Sequence, residues 1–150
     1  MSKRRERVLR IERTFEAPAA TVFEAWTSPA VLRRWLHANP DWDTPVAEVD
    51  LRVGGAVRIV MRDPESGAEY GAGGEYRVID PPRRLVFTWV WDHHPSNVQL
   101  IELEFSEHDG RTTVAMINSA IPTDEVREDQ QSGWHRCYDN LERTLAPSSS

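Results

Sequence analysis

The chain has 150 residues, with 18 Lys+Arg against 24 Asp+Glu and a formal net charge of −6. That length fits one domain spanning 1–150, with a core over about 8–146 and short flexible ends. A content of 39% hydrophobic and 28% charged residues excludes the disordered and collagen-like classes, no apolar run approaches the roughly 20 residues of a membrane span, and the acidic balance speaks against general nucleic-acid binding.

Residues 8–15 alternate imperfectly between apolar and polar, which predicts a strand. Pro18 suits the opening of a helix over 19–26, with Val22, Phe23 and Trp26 on one face. Ser28-Pro29 repeats the signal, a serine cap followed by proline, for a second short helix striped by Val31, Leu32, Trp35 and Leu36. Residues 37–45 read as a loop carrying Trp42. The period then becomes two: Val49, Leu51 and Val53 alternate with Glu48, Asp50 and Arg52, Gly54-Gly55 marks a tight turn, and Val57, Ile59 and Met61 resume the alternation.

After a turn over 63–67 comes a strand over 70–79, in which Gly71, Gly73 and Gly74 predict a bulge or sharp curvature. Asp80-Pro81-Pro82 breaks the chain. Leu85, Phe87, Trp89 and Trp91 line one face of the next strand. Gln99, Ile101, Leu103 and Phe105 line one face of another, with Glu102 and Glu104 opposite. A turn at 108–110 leads to the last strand over 112–119. Thr123-Asp-Glu then opens a long helix whose stripe is Val126, Gln130, Trp134, Cys137, Leu141 and Leu145. Pro147 and three serines read as a frayed tail.

This succession is α+β. A curved antiparallel sheet can wrap around the closing helix and leave an apolar space between them, a default site for a ligand.

Several stretches occur in an order that resembles a known superfamily. They are Thr14-Phe-Glu-Ala-Pro18, Val22-Phe-Glu-Ala-Trp-Thr27, Leu32-Arg-Arg-Trp35, Asp50-Leu-Arg-Val-Gly-Gly55, Gly74-Glu-Tyr76, Pro82-Arg-Arg-Leu-Val-Phe-Thr-Trp89 and the run from Ser132-Gly-Trp134 to Leu141. Their order and spacing resemble the SRPBCC, or START-like, superfamily, and within it the group named after the activator of the heat-shock-protein-90 ATPase. The resemblance implies a helix-grip fold like the birch pollen allergen: a curved seven-stranded antiparallel sheet, two short helices, and a long C-terminal helix over a cavity. Members include lipid carriers, cyclases, resistance proteins and co-chaperones, so fold alone does not assign function. In that group the last strand often carries a histidine where this chain has Asn118, which removes a titrating group here.

Six tryptophans are the strongest chemical signal. Trp89, Trp91 and Trp134 either form the aromatic wall of a cavity or pack as core, while Trp42 lies where a lid would. Trp26 and Trp35 are expected to close the space between the small helices and the sheet. Phe87, Tyr76, Gln99, Asn118 and Gln130 complete the inward set, with Tyr76, Gln99 and Asn118 orienting a ligand. His93 shares the register of Trp91 and is expected at the rim.

Asp92-His93-His94 resembles metal ligands, but neighbouring strand side chains point to opposite faces, and a polar turn is preferred over a metal site. The pairs Glu48/Asp50, Glu102/Glu104 and Asp139/Glu142 lie off the apolar registers and are expected in solvent. Cys137 reads as a buried small hydrophobe. As the only cysteine it cannot form an internal disulfide, which together with the lack of an apolar signal segment points to the cytoplasm. Arg4, Arg5, Arg7 and Arg10 read as a solvated terminus rather than a binding arm.

The expected function is therefore binding of a hydrophobic or aromatic small molecule, such as a lipid or polyketide, by a monomer or homodimer, with no cofactor, metal or catalytic residue. The alternatives are a cyclase- or hydrolase-like enzyme acting on a polycyclic substrate through His93 and Tyr76, or a regulator contacting a chaperone. Gly133, inside the last helix, is expected to permit close approach to the adjacent layer, so that Gly133→Ala would be neutral or destabilising.

Overall fold

The computed structural model describes residues 7–146. Arg4, Arg5 and the tail from Pro147 onward lie outside them, and with them half of the basic patch and the predicted fraying. In chain order the elements are β1 (Arg7–Phe15), α1 (Ala19–Thr27), α2 (Pro29–Trp35), β2 (Asp43–Val49), β3 (Ala56–Arg62), β4 (Glu69–Asp80), β5 (Arg84–Trp91), β6 (Gln99–His108), β7 (Arg111–Ile121) and α3 (Asp124–Leu145). The strands form one curved antiparallel sheet in the order β1-β7-β6-β5-β4-β3-β2. This is the expected α+β helix-grip architecture. No helix among the described residues is long and apolar enough to cross a membrane.

Local chemistry explains where the helices begin. Thr123 caps α3 by accepting a hydrogen bond from the Val126 amide at 3.1 Å, and Asp124 and Glu125 favour the positive end of the helix dipole. Ser28 occupies the cap position of α2, but its side chain makes no capping bond, so the expected serine cap is positional only; Pro29 supplies the preset backbone. At α1 the cap position holds Pro18, and Glu107 of β6 accepts from the Ala19 amide at 2.8 Å instead.

Two boundaries differ from the sequence reading. β2 starts at Asp43, inside the predicted loop, because buried Thr44 donates to the Leu36 carbonyl at 2.8 Å and ties the strand to the end of α2. β2 also ends at Val49, so Leu51 and Val53 lie in the turn before β3, 45% and 67% exposed. Their alternation continues past the point where the chain turns.

The β4 glycines serve close strand approach, but the pairing with β5 keeps one register from Gly73 to Tyr76, so the predicted bulge does not fall on them. A Cβ on Gly74 would overlap the Thr88 carbonyl oxygen of β5, so only glycine lets the strands approach there, and the register shifts between Tyr76 and Val78.

The inner face of the sheet packs on α1, α2 and α3. Phe23 of α1 meets Phe105 of β6 with ring centroids 5.3 Å apart, and Trp26 meets Trp35 edge-on at 4.7 Å. Both tryptophans are buried, as expected, and the Trp35 indole donates to the Ala25 carbonyl at 2.9 Å. The α3 stripe faces the sheet, joined by two residues its periodicity did not single out. Tyr138 places its hydroxyl 3.0 Å from the Met116 sulfur, and Asn140 donates to the Trp35 and His37 carbonyls at 3.3 and 3.0 Å.

Candidate functional site

A cavity of about 500 Å3 lies between the sheet and α3. Its buried walls include Trp89 of β5, Gln99 of β6, Met61 of β3, Leu36 after α2, and Gln130, Trp134 and Cys137 of α3. Helical spacing places Gln130, Trp134 and Cys137 on one side of α3, while period two places Trp89 and Trp91 on the same side of β5. Trp89 and Trp91 meet edge to face, 5.7 Å apart at 84°, and Trp89 lies 6.1 Å from Trp134 with the rings tilted by 46°.

The mouth is marked by exposed lining residues, among them His93, His94, Asp129 and Tyr70. Trp42 stacks on Tyr70 there, with ring centroids 5.3 Å apart and planes 6° from parallel. Tyr70 and Asp129 were not among the sequence candidates. Tyr70 precedes a glycine run and sits on a turn-proximal strand end, so nothing local distinguishes it from an ordinary surface tyrosine.

Polar groups in the cavity wall form a closed amide network. Gln99 and Gln130 each donate to the other's side-chain oxygen at 2.9 Å. Gln130 also donates to Asn118 Oδ1 at 2.8 Å, and Asn118 donates back to Gln99 Oε1 at 3.0 Å. The Trp91 indole donates to Gln130 Oε1 at 3.3 Å, the Trp134 indole to Asn118 Oδ1 at 3.4 Å, and Gln99 to Asn97 Oδ1 at 2.8 Å. Each of the three amide oxygens thus receives two donors, the full capacity of a carbonyl. The wall presents polar residues whose hydrogen bonds are already made.

Seven of the sequence-selected residues border the cavity: Trp42, Trp89, Trp91, His93, Gln99, Gln130 and Trp134. Asn118 sits behind this lining and holds Gln99, Gln130 and Trp134 in place. Tyr76 and Phe87 border a separate void of about 10 Å3 on the other side of Trp89. They share the inward register of Trp89, but α1 and α2 cover the sheet there and leave little room.

The Asp92-His93-His94 run is a turn at the mouth. Arg58 donates to both oxygens of Asp92 at 2.6 Å, and His93 lies against Trp91 with ring centroids 5.9 Å apart. That pairing holds the Asp92 carboxyl below its ordinary pKa range and commits it to the arginine. Among the described residues no three His, Cys, Asp or Glu side chains converge as metal ligands. The three carboxylate pairs lie away from the cavity lining; Asp139 and Glu142 flank Arg13 at 2.7 and 3.9 Å.

Cys137 is the one thiol in the wall, and burial pushes its pKa up to about 12. It remains a neutral, poorly nucleophilic thiol at neutral pH. His37, also buried, gives its Nδ1 proton to Thr44 Oγ1 at 2.8 Å, because the Thr44 proton is already engaged by Leu36. Burial lowers its pKa, with Asp43 acting in the opposite direction and Arg143 adding to the decrease.

Fold and chamber together define a helix-grip domain with a largely apolar interior. The model of the family described as Activator of Hsp90 ATPase homolog 1-like protein matches residues 16–146, and the chain belongs to that family. It is 26% identical over 113 residues to the uncharacterized protein C1711.08 of Schizosaccharomyces pombe, covering 75% of this chain but only 29% of that relative's length. Among solved structures, protein CV1439 of Chromobacterium violaceum superposes with a TM-score of 0.84 at 24% identity, covering 95% of this chain and 99% of that one. A protein from Rhodobacter sphaeroides superposes with a TM-score of 0.80 at 28% identity, covering 95% of each chain.

Proposed function

We propose that the protein binds a hydrophobic, aromatic-sized small molecule in the chamber between the sheet and α3. The carrying observation is a cavity of about 500 Å3 walled by Trp89, Trp91 and Trp134, whose neighbouring amides are saturated among themselves. This volume lies within the roughly 300–1,000 Å3 of small-molecule sites. Indole walls offer apolar area, worth about 25 cal/mol per Å2 buried, and π faces for stacking. A polar end of the ligand would meet His93, His94 and Asp129 at the mouth, and the Trp42–Tyr70 stack would cover it. A cytoplasmic setting belongs to the same reading, supported by the lone buried thiol of Cys137.

Binding without turnover is favoured over a cyclase or hydrolase. His93 borders the mouth of the cavity and Tyr76 the separate void, so the pair that would carry acid–base chemistry does not converge on one reacting atom. Titrating the protein with fused aromatic and fatty-acyl compounds, while following tryptophan fluorescence and melting temperature, tests the proposal. Saturable quenching with a raised Tm is expected for at least one class. A panel that leaves both signals unchanged, together with a native mass equal to that of the bare chain, would sink it.

Family membership motivates a second reading, contact with an Hsp90-type chaperone. An ATPase assay with the purified chaperone decides it, an unchanged rate counting against it.

A further inference from the structure

Three buried side-chain polar atoms among the described residues lack a hydrogen-bond partner: Trp26 Nε1, Tyr76 Oη and Trp89 Nε1. They belong to α1, β4 and β5, well separated in sequence. All three residues line the same void, about 10 Å3 in volume, which shares the walls Leu36, Trp89 and Trp134 with the large cavity. The remaining lining is aliphatic or aromatic, and the third indole there, Trp134, gives its N–H to Asn118. Buried donors are ordinarily paired, and three orphans bordering one small space mark a place where a partner belongs.

We propose that this void is a binding site for a single oxygen atom, which accepts hydrogen bonds from the Trp26 and Trp89 indoles and shares one with the Tyr76 hydroxyl. Its volume is about that of one oxygen-sized guest, and three polar groups are the usual complement of an internal water. Indole N–H groups only donate, so the site selects an acceptor and rejects ammonium or amide N–H groups. Burial raises the Tyr76 pKa and keeps its hydroxyl neutral. Two sources offer this chemistry: an internal water, or the carbonyl or hydroxyl end of a ligand reaching past Leu36 from the large cavity. The second source rests on the binding function proposed above; the first does not.

Water-to-indole cross-relaxation in 15N-labelled protein tests the site directly. The indole signals are assigned with Trp26→Phe and Trp89→Phe. Should either variant fail to fold, Tyr76→Phe keeps the ring and still moves both signals. Without ligand, both indole N–H groups are expected to show contact with a long-lived water, and Tyr76→Phe to shift both resonances. The same spectra are then taken with 2-acetylnaphthalene and with 2-isopropylnaphthalene, which has a similar shape and no oxygen.

Displacement of the water by the ketone alone, with about tenfold tighter binding that Tyr76→Phe abolishes, identifies a ligand oxygen as the guest. Water signals that persist with both compounds identify water. If neither naphthalene binds while the water contacts are present, the cavity reading suffers and the oxygen site stands. Absence of any water contact, with indole signals unmoved by Tyr76→Phe and by the ketone, overturns the proposal.

Discussion

Gln99 of β6 and Gln130 of α3 grip each other through a reciprocal pair of hydrogen bonds, both 2.9 Å long. Each residue is also bound to Asn118 of β7, so the helix is pinned to two adjacent strands at the cavity wall. Burying three primary amides in an apolar interior is favourable only while all their groups are paired.

Gln130→Leu removes the central member and leaves Gln99, Asn118 and the Trp91 indole with lost partners. We expect a loss of about 1–3 kcal/mol in urea unfolding, at the scale of an unsatisfied buried group. Combining it with Gln99→Leu should cost less than the sum of the two single changes, because the second replacement removes a group the first had orphaned. Strict additivity would show that the two amides act independently.

Gly133 borders the cavity, and a Cβ built there meets only the Ala38 Cβ, at 3.8 Å. An alanine therefore fits in ordinary contact, which corrects the expectation that the glycine is needed for close approach. Gly133→Ala should raise stability by about 0.5–1 kcal/mol through the chain entropy of the unfolded state. Gly133→Leu projects further into the chamber and should weaken quenching by a bound aromatic compound about tenfold or more, with unchanged circular dichroism. Equal affinity in wild type and Gly133→Leu would place the ligand elsewhere.

His37 is held neutral by burial, its pKa lowered from the ordinary 6.5. The unfolded chain therefore takes up a proton at a higher pH than the folded one. Stability should fall as pH drops below about 6.5 and level off once pH passes the folded pKa, where both states are protonated. The slope should stay below the ceiling of about 1.4 kcal/mol per pH unit set by one proton, since solvent and Asp43 screen the charge. His37→Asn, which keeps a donor for Thr44, should flatten this part of the pH–stability curve.

Gly71 lies beneath the Arg58–Asp92 pair, and a Cβ there would overlap the Asp92 carboxylate and press on the guanidinium. Gly71→Ala should cost about 1–3 kcal/mol by overpacking and loss of the pair. Arg58→Ala alone should cost about 1 kcal/mol or less, because the pair is largely exposed. In the Arg58→Ala background the Gly71→Ala penalty should shrink, since Asp92 is then free to move. Thermal unfolding of the four proteins checks the cycle.

Inward and outward faces were legible in the sequence because side-chain periods are local properties of strand and helix. Leu85, Phe87 and Trp89 face inward as their alternation requires, and the α3 stripe from Val126 to Leu141 follows its helical spacing. How that inward face divides into cavity wall and packed core was decided only in three dimensions. Phe87 and Trp89 share one register on one strand, yet Trp89 borders the large cavity and Phe87 does not, because α1 and α2 fill the space over one and α3 leaves it open over the other. The same holds for the polar groups. Gln99 and Gln130 are 31 positions apart, and nothing local to either names its partner. Only the placement of α3 across β6 and β7 brings the two amides within hydrogen-bonding distance, while the Trp26 ring, reaching from α1 to within 6.5 Å of the Phe87 ring of β5, lies beside the same void as Tyr76 and Trp89.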